Sequence, residues 1–133
     1  DKLVVLDTSP YETREEADKQ LVVLRNKDVN ARFKSPLLKE LKQFCKKNKI
    51  SFSCKDKFII EKNKLREKEG LKPISIGSTE LGRIVMESNG QIQGATLQIP
   101  TTGYHTVDET ACVESIKAII FILSSFYIKT VNI

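Results

Sequence analysis

The chain has 133 residues, of which 40% are hydrophobic and 29% charged, the size and composition of one globular domain. No apolar run approaches the roughly 20 residues that cross a bilayer, and the opening Asp1-Lys2 does not resemble a signal peptide, so we expect neither membrane insertion nor secretion. Three cysteines without Cys-x-x-Cys spacing argue against zinc ribbons and disulfide frameworks and favour a reducing cytoplasm. We expect residues 1–133 to be a single domain or a fragment of a longer protein.

The net charge of +5 is concentrated in one segment. Residues 39–72 hold 12 Lys or Arg against 5 Asp or Glu, whereas the rest of the chain holds 10 against 12. Such a basic block could bind nucleic acid or an acidic partner. However, its aromatic residues, Phe44, Phe52 and Phe58, are predicted to be core residues, and no Gly-rich RNA-binding motif accompanies them. A solvated helix face is the simpler explanation, and nucleic acid is not the expected partner.

The first predicted elements are short. An unbroken apolar run at 3–6 predicts a strand covered on both faces. The spacing Thr13-x-x-Glu16 is a capping box and predicts a polar helix to about residue 20. A second apolar run at 21–24 predicts another strand.

The middle of the chain contains Ser35-Pro36, a capping residue followed by proline at the first helical position. It predicts a helix whose apolar positions repeat at helical spacing, namely Leu37, Leu38, Leu41, Phe44 and Cys45. Residues 50–54 alternate like a strand, and the charged stretch 55–72 predicts a helix that ends near Gly70.

The last part of the chain begins with the small-residue turn Gly77-Ser78-Thr79-Glu80-Leu81-Gly82, which is predicted to lead into a short helix. Residues 95–99 predict a strand. Thr106-x-x-Glu109 is a second capping box, and it predicts a final helix that buries Val113, Ile116, Ile119, Ile120, Leu123 and Phe126. Strands that alternate with helices predict an α/β fold, a layered sheet with flanking helices.

Two polar residues stand out because each follows an apolar run. Asp7 closes the first run, and His105, the single histidine, comes shortly after the strand predicted at 95–99. In α/β proteins, loops converge at strand ends and build sites there, so Asp7 and His105 are a candidate pair of metal ligands. Gly103 permits unusual backbone angles before the histidine, and Thr101 offers a hydroxyl that could support a ligand.

Each candidate also has an ordinary structural explanation. An Asp before Thr8-Ser9-Pro10 commonly caps a turn, and an isolated histidine is often a loop residue bonded to backbone. Glu80 fits a general base, but it also fits a first-turn glutamate that complements a helix dipole. The turn at 77–82 lacks the lysine of a P-loop and gives little support for a phosphate site.

Several segments, taken in order, resemble the glutamyl or deblocking aminopeptidase family of dinuclear metallopeptidases, relatives of the tetrahedral aminopeptidases. Leu3-Val4-Val5-Leu6-Asp7-Thr8 is similar to a strand that ends in a metal-binding aspartate. Gly77-Ser78-Thr79-Glu80 stands where the family carries Gly-Gly-Thr-Asp. Ile99-Pro100-Thr101, followed by His105 and Glu109, is similar to the family's Ile-Pro-Thr stretch, metal-binding histidine and downstream glutamate.

The resemblance implies hydrolysis of amino-terminal residues from peptides by two divalent ions, zinc or cobalt, in a cytoplasmic homo-oligomer. By position, Asp7 would ligate one metal and His105 the other. Substrate binding or support of the ligands would fall to Thr79, Glu80, Thr101 and Tyr104. The resemblance covers nearly the whole chain but only the carboxy-terminal part of an aminopeptidase-like catalytic domain.

The chain departs from the family at Ser78, Glu80 and the stretch Thr102-Gly103-Tyr104, which puts substrate preference in doubt. The family's other histidine, bridging aspartate and paired glutamates lie in the amino-terminal part, so the isolated chain is predicted to have no peptidase activity. Two alternatives remain open. One is a non-catalytic binding module that uses residues 39–72, and the other is an assembly domain that keeps the fold without catalysis.

Overall fold

The computed structural model describes residues 3–127, in which strands and helices alternate as far as α3. They are, in chain order, β1 (Leu3–Pro10), α1 (Arg14–Ala17), β2 (Val22–Leu24), α2 (Pro36–Lys47), β3 (Phe52–Cys54), α3 (Lys55–Lys68), α4 (Glu80–Glu87), β4 (Gly94–Thr102), β5 (Thr110–Ala111) and α5 (Val113–Ile122). A π-helical turn, Leu123–Tyr127, extends α5. Within these residues, no helix is long and apolar enough to cross a membrane.

Local capping explains where three helices begin, since the first backbone N–H groups of a helix need acceptors. The hydroxyl of Thr13 accepts from the N–H of Glu16 at the start of α1, at 3.1 Å. The hydroxyl of Ser35 accepts from the N–H of Leu37 at 3.1 Å and opens α2. Both starts confirm the predicted caps, and Thr79 opens α4 in the same way.

The strands form one mixed sheet in the order β1-β4-β2-β3, with β5 beside the end of β4. β1 and β4 are parallel, in register from the pair Leu3–Gly94 to the pair Pro10–Thr101. β2 and β3 are also parallel, and α2 connects them. A Cβ at Gly94 would overlap the carbonyl of Leu3, so the first β1–β4 pair requires a glycine.

Helices cover both sides of this sheet, because successive residues of a strand point to opposite faces. Val22 and Leu24 pack in a core with α2 and α5, whereas Val23 between them packs with Tyr11 and Phe58. The first side therefore carries α2 and α5, and the second carries α1 and α3. The second side also carries α4, which packs against Val5 of β1. This arrangement confirms the predicted layered sheet with flanking helices.

The prediction for the first strand is wrong in two respects. β1 does not end at Asp7 but continues to Pro10, because its pairing with β4 extends that far. It is also not covered on both faces, since Leu6 is 53% exposed. Among the described strands, β1 lies at one edge of the sheet.

The predicted start of the last helix is wrong as well. α5 begins at Val113 instead of next to Thr106, because Thr110 and Ala111 pair with β4 as a separate short strand. Ile119 is buried as predicted, whereas three residues of the predicted apolar face are exposed, namely Val113, Ile116 and Ile120. The outer surface of α5 therefore carries exposed apolar side chains beside the ion pair of Glu114 and Lys117.

Candidate functional site

Asp7 lies inside β1, in register with Gln98 of β4. Its side chain is exposed, and its Oδ1 accepts a hydrogen bond of 2.7 Å from the backbone N–H of Thr8. Residues directly opposite one another in a sheet project from the same face, so Asp7 shares its face with Gln98 and Val23. The carboxylate is accessible at the edge of the molecule.

His105 lies in the exposed loop between β4 and β5. Its φ of 60° is in the left-handed region that residues other than glycine seldom adopt. The imidazole stacks on the ring of Tyr104, with ring centroids 3.7 Å apart. The backbone N–H of His105 donates to Oε1 of Glu109 at 3.0 Å, so this glutamate closes the loop instead of capping a helix.

The sheet register keeps Asp7 and His105 apart. β4 continues for four residues beyond Gln98, the partner of Asp7, and at about 3.3 Å per residue its end lies about 13 Å further along the sheet. His105 follows that end. Over residues 3–127, no three side chains of His, Cys, Asp or Glu are grouped so as to hold a metal ion. The described residues therefore do not fit a complete metal site by themselves.

The other residues that the resemblance singles out have separate local roles. The hydroxyl and the N–H of Thr79 both donate to Oδ2 of Asp28, at 2.7 and 2.8 Å. Glu80 is exposed in the first turn of α4, where a carboxylate stabilises the helix dipole. Thr101 is buried, and its hydroxyl finds no hydrogen-bond partner in the described part of the chain. Tyr104 is 42% exposed beside His105.

Two buried cations that the sequence analysis did not single out lie on the second side of the sheet. Arg25, 5% exposed, donates from Nε to Oε1 of Gln98 at 3.2 Å and from Nη1 to the carbonyl of Ile76 at 2.5 Å. Lys55, 4% exposed, donates from Nζ to the carbonyl of Pro10. Each cation directly follows a short strand, β2 or β3, and that position is the signal in the sequence that could have identified it.

Burial changes the protonation of this pair. Burial, together with the nearby positive charge of Arg25, lowers the pKa of Lys55 to about 7. Burial also lowers the pKa of Arg25 from its usual value. The Nζ of Lys55 stands 3.4 Å from the centroid of the Tyr11 ring, whose π electrons stabilise the cation in part.

The basic block at 39–72 does not form one surface. α2 packs on the first side of the sheet through Leu37, Leu41 and Cys45, whereas α3 lies on the second side through Phe58. The lysines of the block are therefore divided between opposite faces of the protein. Phe44 and Phe52 pack against the first core and Phe58 against the second, which confirms that the aromatic residues of the block belong to the core.

Comparison with protein-family models gave no match, and neither did comparison with curated proteins. Among solved structures, the chain is similar to that titled "3-D structure of PhTET1-12s, dodecamer in the asymmetric unit", with a TM-score of 0.62 and 13% sequence identity. The match covers 93% of this chain and 32% of that one, so the chain spans about a third of its length. At this identity the similarity shows a shared fold: residues 3–127 adopt the architecture of part of PhTET1-12s.

Proposed function

We propose that this chain is the carboxy-terminal portion of a metal-dependent aminopeptidase that removes amino-terminal residues from peptides. The shared fold with PhTET1-12s, a TET aminopeptidase, carries the proposal, since it extends over 93% of this chain. Two divalent ions, zinc or cobalt, would serve the complete enzyme in the cytoplasm. Because PhTET1-12s is a dodecamer, we extend the proposal to a homo-oligomer.

The exposed apolar surface of β1 and α5 supports the idea that further protein packs here. Leu6 on the edge strand is 53% exposed, and Val113 and Ile120 on α5 are 61% and 60% exposed. Exposed apolar side chains that form a patch commonly mark an interface. A strand edge with free backbone groups also pairs readily with another strand. Both features fit a portion that is completed by other residues.

Asp7 and His105 would each contribute one ligand to the metal site. A carboxylate suits zinc as a hard oxygen ligand, and a neutral imidazole binds zinc or cobalt. Both side chains are exposed, so residues from outside the described part could reach them. Their separation along β4 means that the loop of His105 must close toward β1, or that the two residues ligate different ions.

The single histidine makes this proposal testable by NMR, because the imidazole protons of His105 are unambiguous in the spectrum. We expect added cobalt to shift and broaden these signals through weak binding, and substitution Asp7→Asn to weaken that effect. Asp108→Asn is the matched control, since Asp108 is another exposed carboxylate, in the same loop as His105.

An imidazole spectrum that cobalt leaves unchanged would contradict the assignment of His105 as a ligand. A cobalt effect that falls equally in Asp7→Asn and Asp108→Asn would contradict the role of Asp7. We also expect no aminopeptidase turnover from the isolated chain with zinc or cobalt. Full turnover would refute the claim that the chain is an incomplete portion.

A further inference from the structure

Arg25 and Lys55 are buried without a counter-ion. No carboxylate lies within 4.0 Å of either cation in the described structure, where the ion pairs formed are those of Arg14, Lys62, Lys64 and Lys117. Buried charges in proteins are normally paired, because moving an unpaired charge out of water costs on the order of several kcal/mol. Two buried cations near one another without a counter-ion therefore need an explanation.

The nearby carboxylates are committed to other partners. Asp28 accepts hydrogen bonds from Thr79, Asn30 and Ala31. Asp56 accepts from the backbone and the side chain of Asn26, at 2.9 and 3.2 Å. These groups stabilise the charge of Arg25 at a distance, but neither forms an ion pair with it.

Both cations line one pocket with a volume of about 260 Å³. Its walls are largely apolar and include Phe58, Ile59, Ile74 and Ile76. The carboxylate of Glu12 also lines the pocket, but it forms an ion pair with Lys62 at 3.1 Å. Gly77, with a φ of 85°, also lines it, and a Cβ there would stand 3.4 Å from Nη2 of Arg25. A side chain at this position would contact the guanidinium, and glycine avoids that contact.

The donors of the two cations are only partly used. The ammonium of Lys55 has three N–H donors, and the structure assigns one to the carbonyl of Pro10. Arg25 has five donors, of which Nε and Nη1 hold Gln98 and Ile76. An anion in the pocket would find free donors and an uncompensated positive charge together.

We propose that this pocket binds the carboxylate of a small organic acid with an apolar body, held by Lys55 and Arg25. The carboxylate would supply the missing counter-charge, and the apolar walls would contact the rest of the molecule. The volume is close to the lower end of the range for small-molecule sites, about 300 Å³. Neither Asp7 nor His105 lines the pocket, so this site is independent of the proposed peptidase function.

The test is a comparison of two nearly isosteric probes, 4-phenylbutyrate and the neutral 4-phenylbutyramide, by calorimetry on the full chain at pH 6.5. We expect the carboxylate to bind at least tenfold more tightly than the amide. Lys55→Met should weaken carboxylate binding at least tenfold, whereas Lys57→Met should leave it within twofold. Lys57 is the matched control because it lies on α3 two residues from Lys55 but is exposed.

The pH dependence gives a second readout, since Lys55 must be protonated to bind an anion. Its pKa of about 7 predicts that carboxylate affinity falls between pH 6.5 and 9. The charged or titratable groups that influence Lys55 come from every neighbouring element and are Tyr11, Glu12, Glu16, Arg25 and Lys62. This fall in carboxylate affinity should be absent in Lys55→Met. The comparison therefore separates the titration of Lys55 from that of the other groups, which both proteins share.

Equal affinity for the acid and the amide would overturn the proposal, as would binding that Lys55→Met does not change. Inorganic phosphate that binds as tightly as phenylbutyrate would overturn the assignment to an organic acid. Melting curves establish that each variant is folded. If Lys55→Met does not fold, the proposal is tested by the affinities of the acid and the amide for the unaltered chain. NMR shifts of the Ile59, Ile74 and Ile76 methyl signals then show whether the acid binds in this pocket.

Discussion

The loop at 103–109 and the Arg25–Lys55 pocket contrast in how their polar groups are held. In the loop, His105 and its neighbours are exposed, and the hydrogen bonds join residues at most four positions apart, such as His105 to Glu109. In the pocket, Arg25 and Lys55 are buried and bond to residues far along the chain, in β4, in β1 and at Ile76.

This difference shows which region depends on the rest of the fold. A local loop is specified by its own sequence and rearranges at a low cost in free energy. The pocket, in contrast, forms only when four separate segments are in place. The loop is thus suited to meeting another part of a larger protein. The pocket is suited to holding a ligand in a fixed geometry. Three substitutions test this contrast.

The largest effect is expected from Asp28→Ala, which removes a buried carboxylate near Arg25. Asp28 is 5% exposed and accepts four hydrogen bonds, two of them from Thr79 at the start of α4. Loss of a charged acceptor that leaves buried donors unpaired should lower the free energy of unfolding by about 3 kcal/mol. Asp108→Ala in the exposed loop should change it by less than about 0.5 kcal/mol. Urea denaturation measures the free energy of unfolding of both variants. Similar decreases in the two would contradict the contrast between the pocket and the loop.

A smaller effect is expected from Lys55→Met, and it should depend on pH. With a folded pKa of about 7 and a usual value of 10.5, Lys55 binds fewer protons in the folded state between these values. The free energy of unfolding should therefore rise with pH above about 7, and this rise should be missing in Lys55→Met.

The measurement compares the two proteins by urea denaturation from pH 6.5 to 9 in reducing buffer. Burial raises the pKa of Cys45 to about 11, so that thiol lowers stability above about pH 9, and the difference between the proteins cancels its contribution. At pH 6.5, Lys55→Met should be more stable by about 1 kcal/mol or more, because it removes an unpaired buried charge. A less stable variant at this pH would argue against an uncompensated cation.

The smallest effect is expected from His105→Gly. The left-handed φ of 60° costs a side-chain-bearing residue about 1 kcal/mol, and relief of this strain is offset by the greater freedom of an unfolded glycine. The free energy of unfolding should change by less than about 1 kcal/mol, as it should for Lys49→Gly, where φ is 57°. A loss of 2 kcal/mol or more at His105 alone, measured in urea, would show that the loop contributes to the stability of the fold.

The sequence predicted most elements because their signals are local. Thr13 and Ser35 make their caps with residues two or three positions away. The same kind of signal failed at Thr106, whose hydroxyl instead donates to the carbonyl of Gly103. Pairing of β5 with β4 determined the outcome there, and strand pairing depends on contacts that no local window contains.

The candidate site was predictable only in part for the same reason. The sequence indicated Asp7 and His105 as polar residues after apolar runs, but their separation depends on the β1–β4 register. Arg25 and Lys55 each follow a strand directly, but this position alone did not distinguish them among the 22 Lys and Arg residues. Their burial became apparent once Ile76 and Pro10 were placed against them, and these residues come from distant segments.

The pairing of β1 with β4 also bears on the order in which the protein folds. Leu3 meets Gly94, and Pro10 meets Thr101, so the first strand finds its partner only after most of the chain has been synthesised. β2, α2 and β3 form a continuous unit within residues 22–54 and can assemble earlier. Contacts between distant positions slow folding because a long loop must close. We expect a refolding experiment to show protection of β2 and β3 before that of β1.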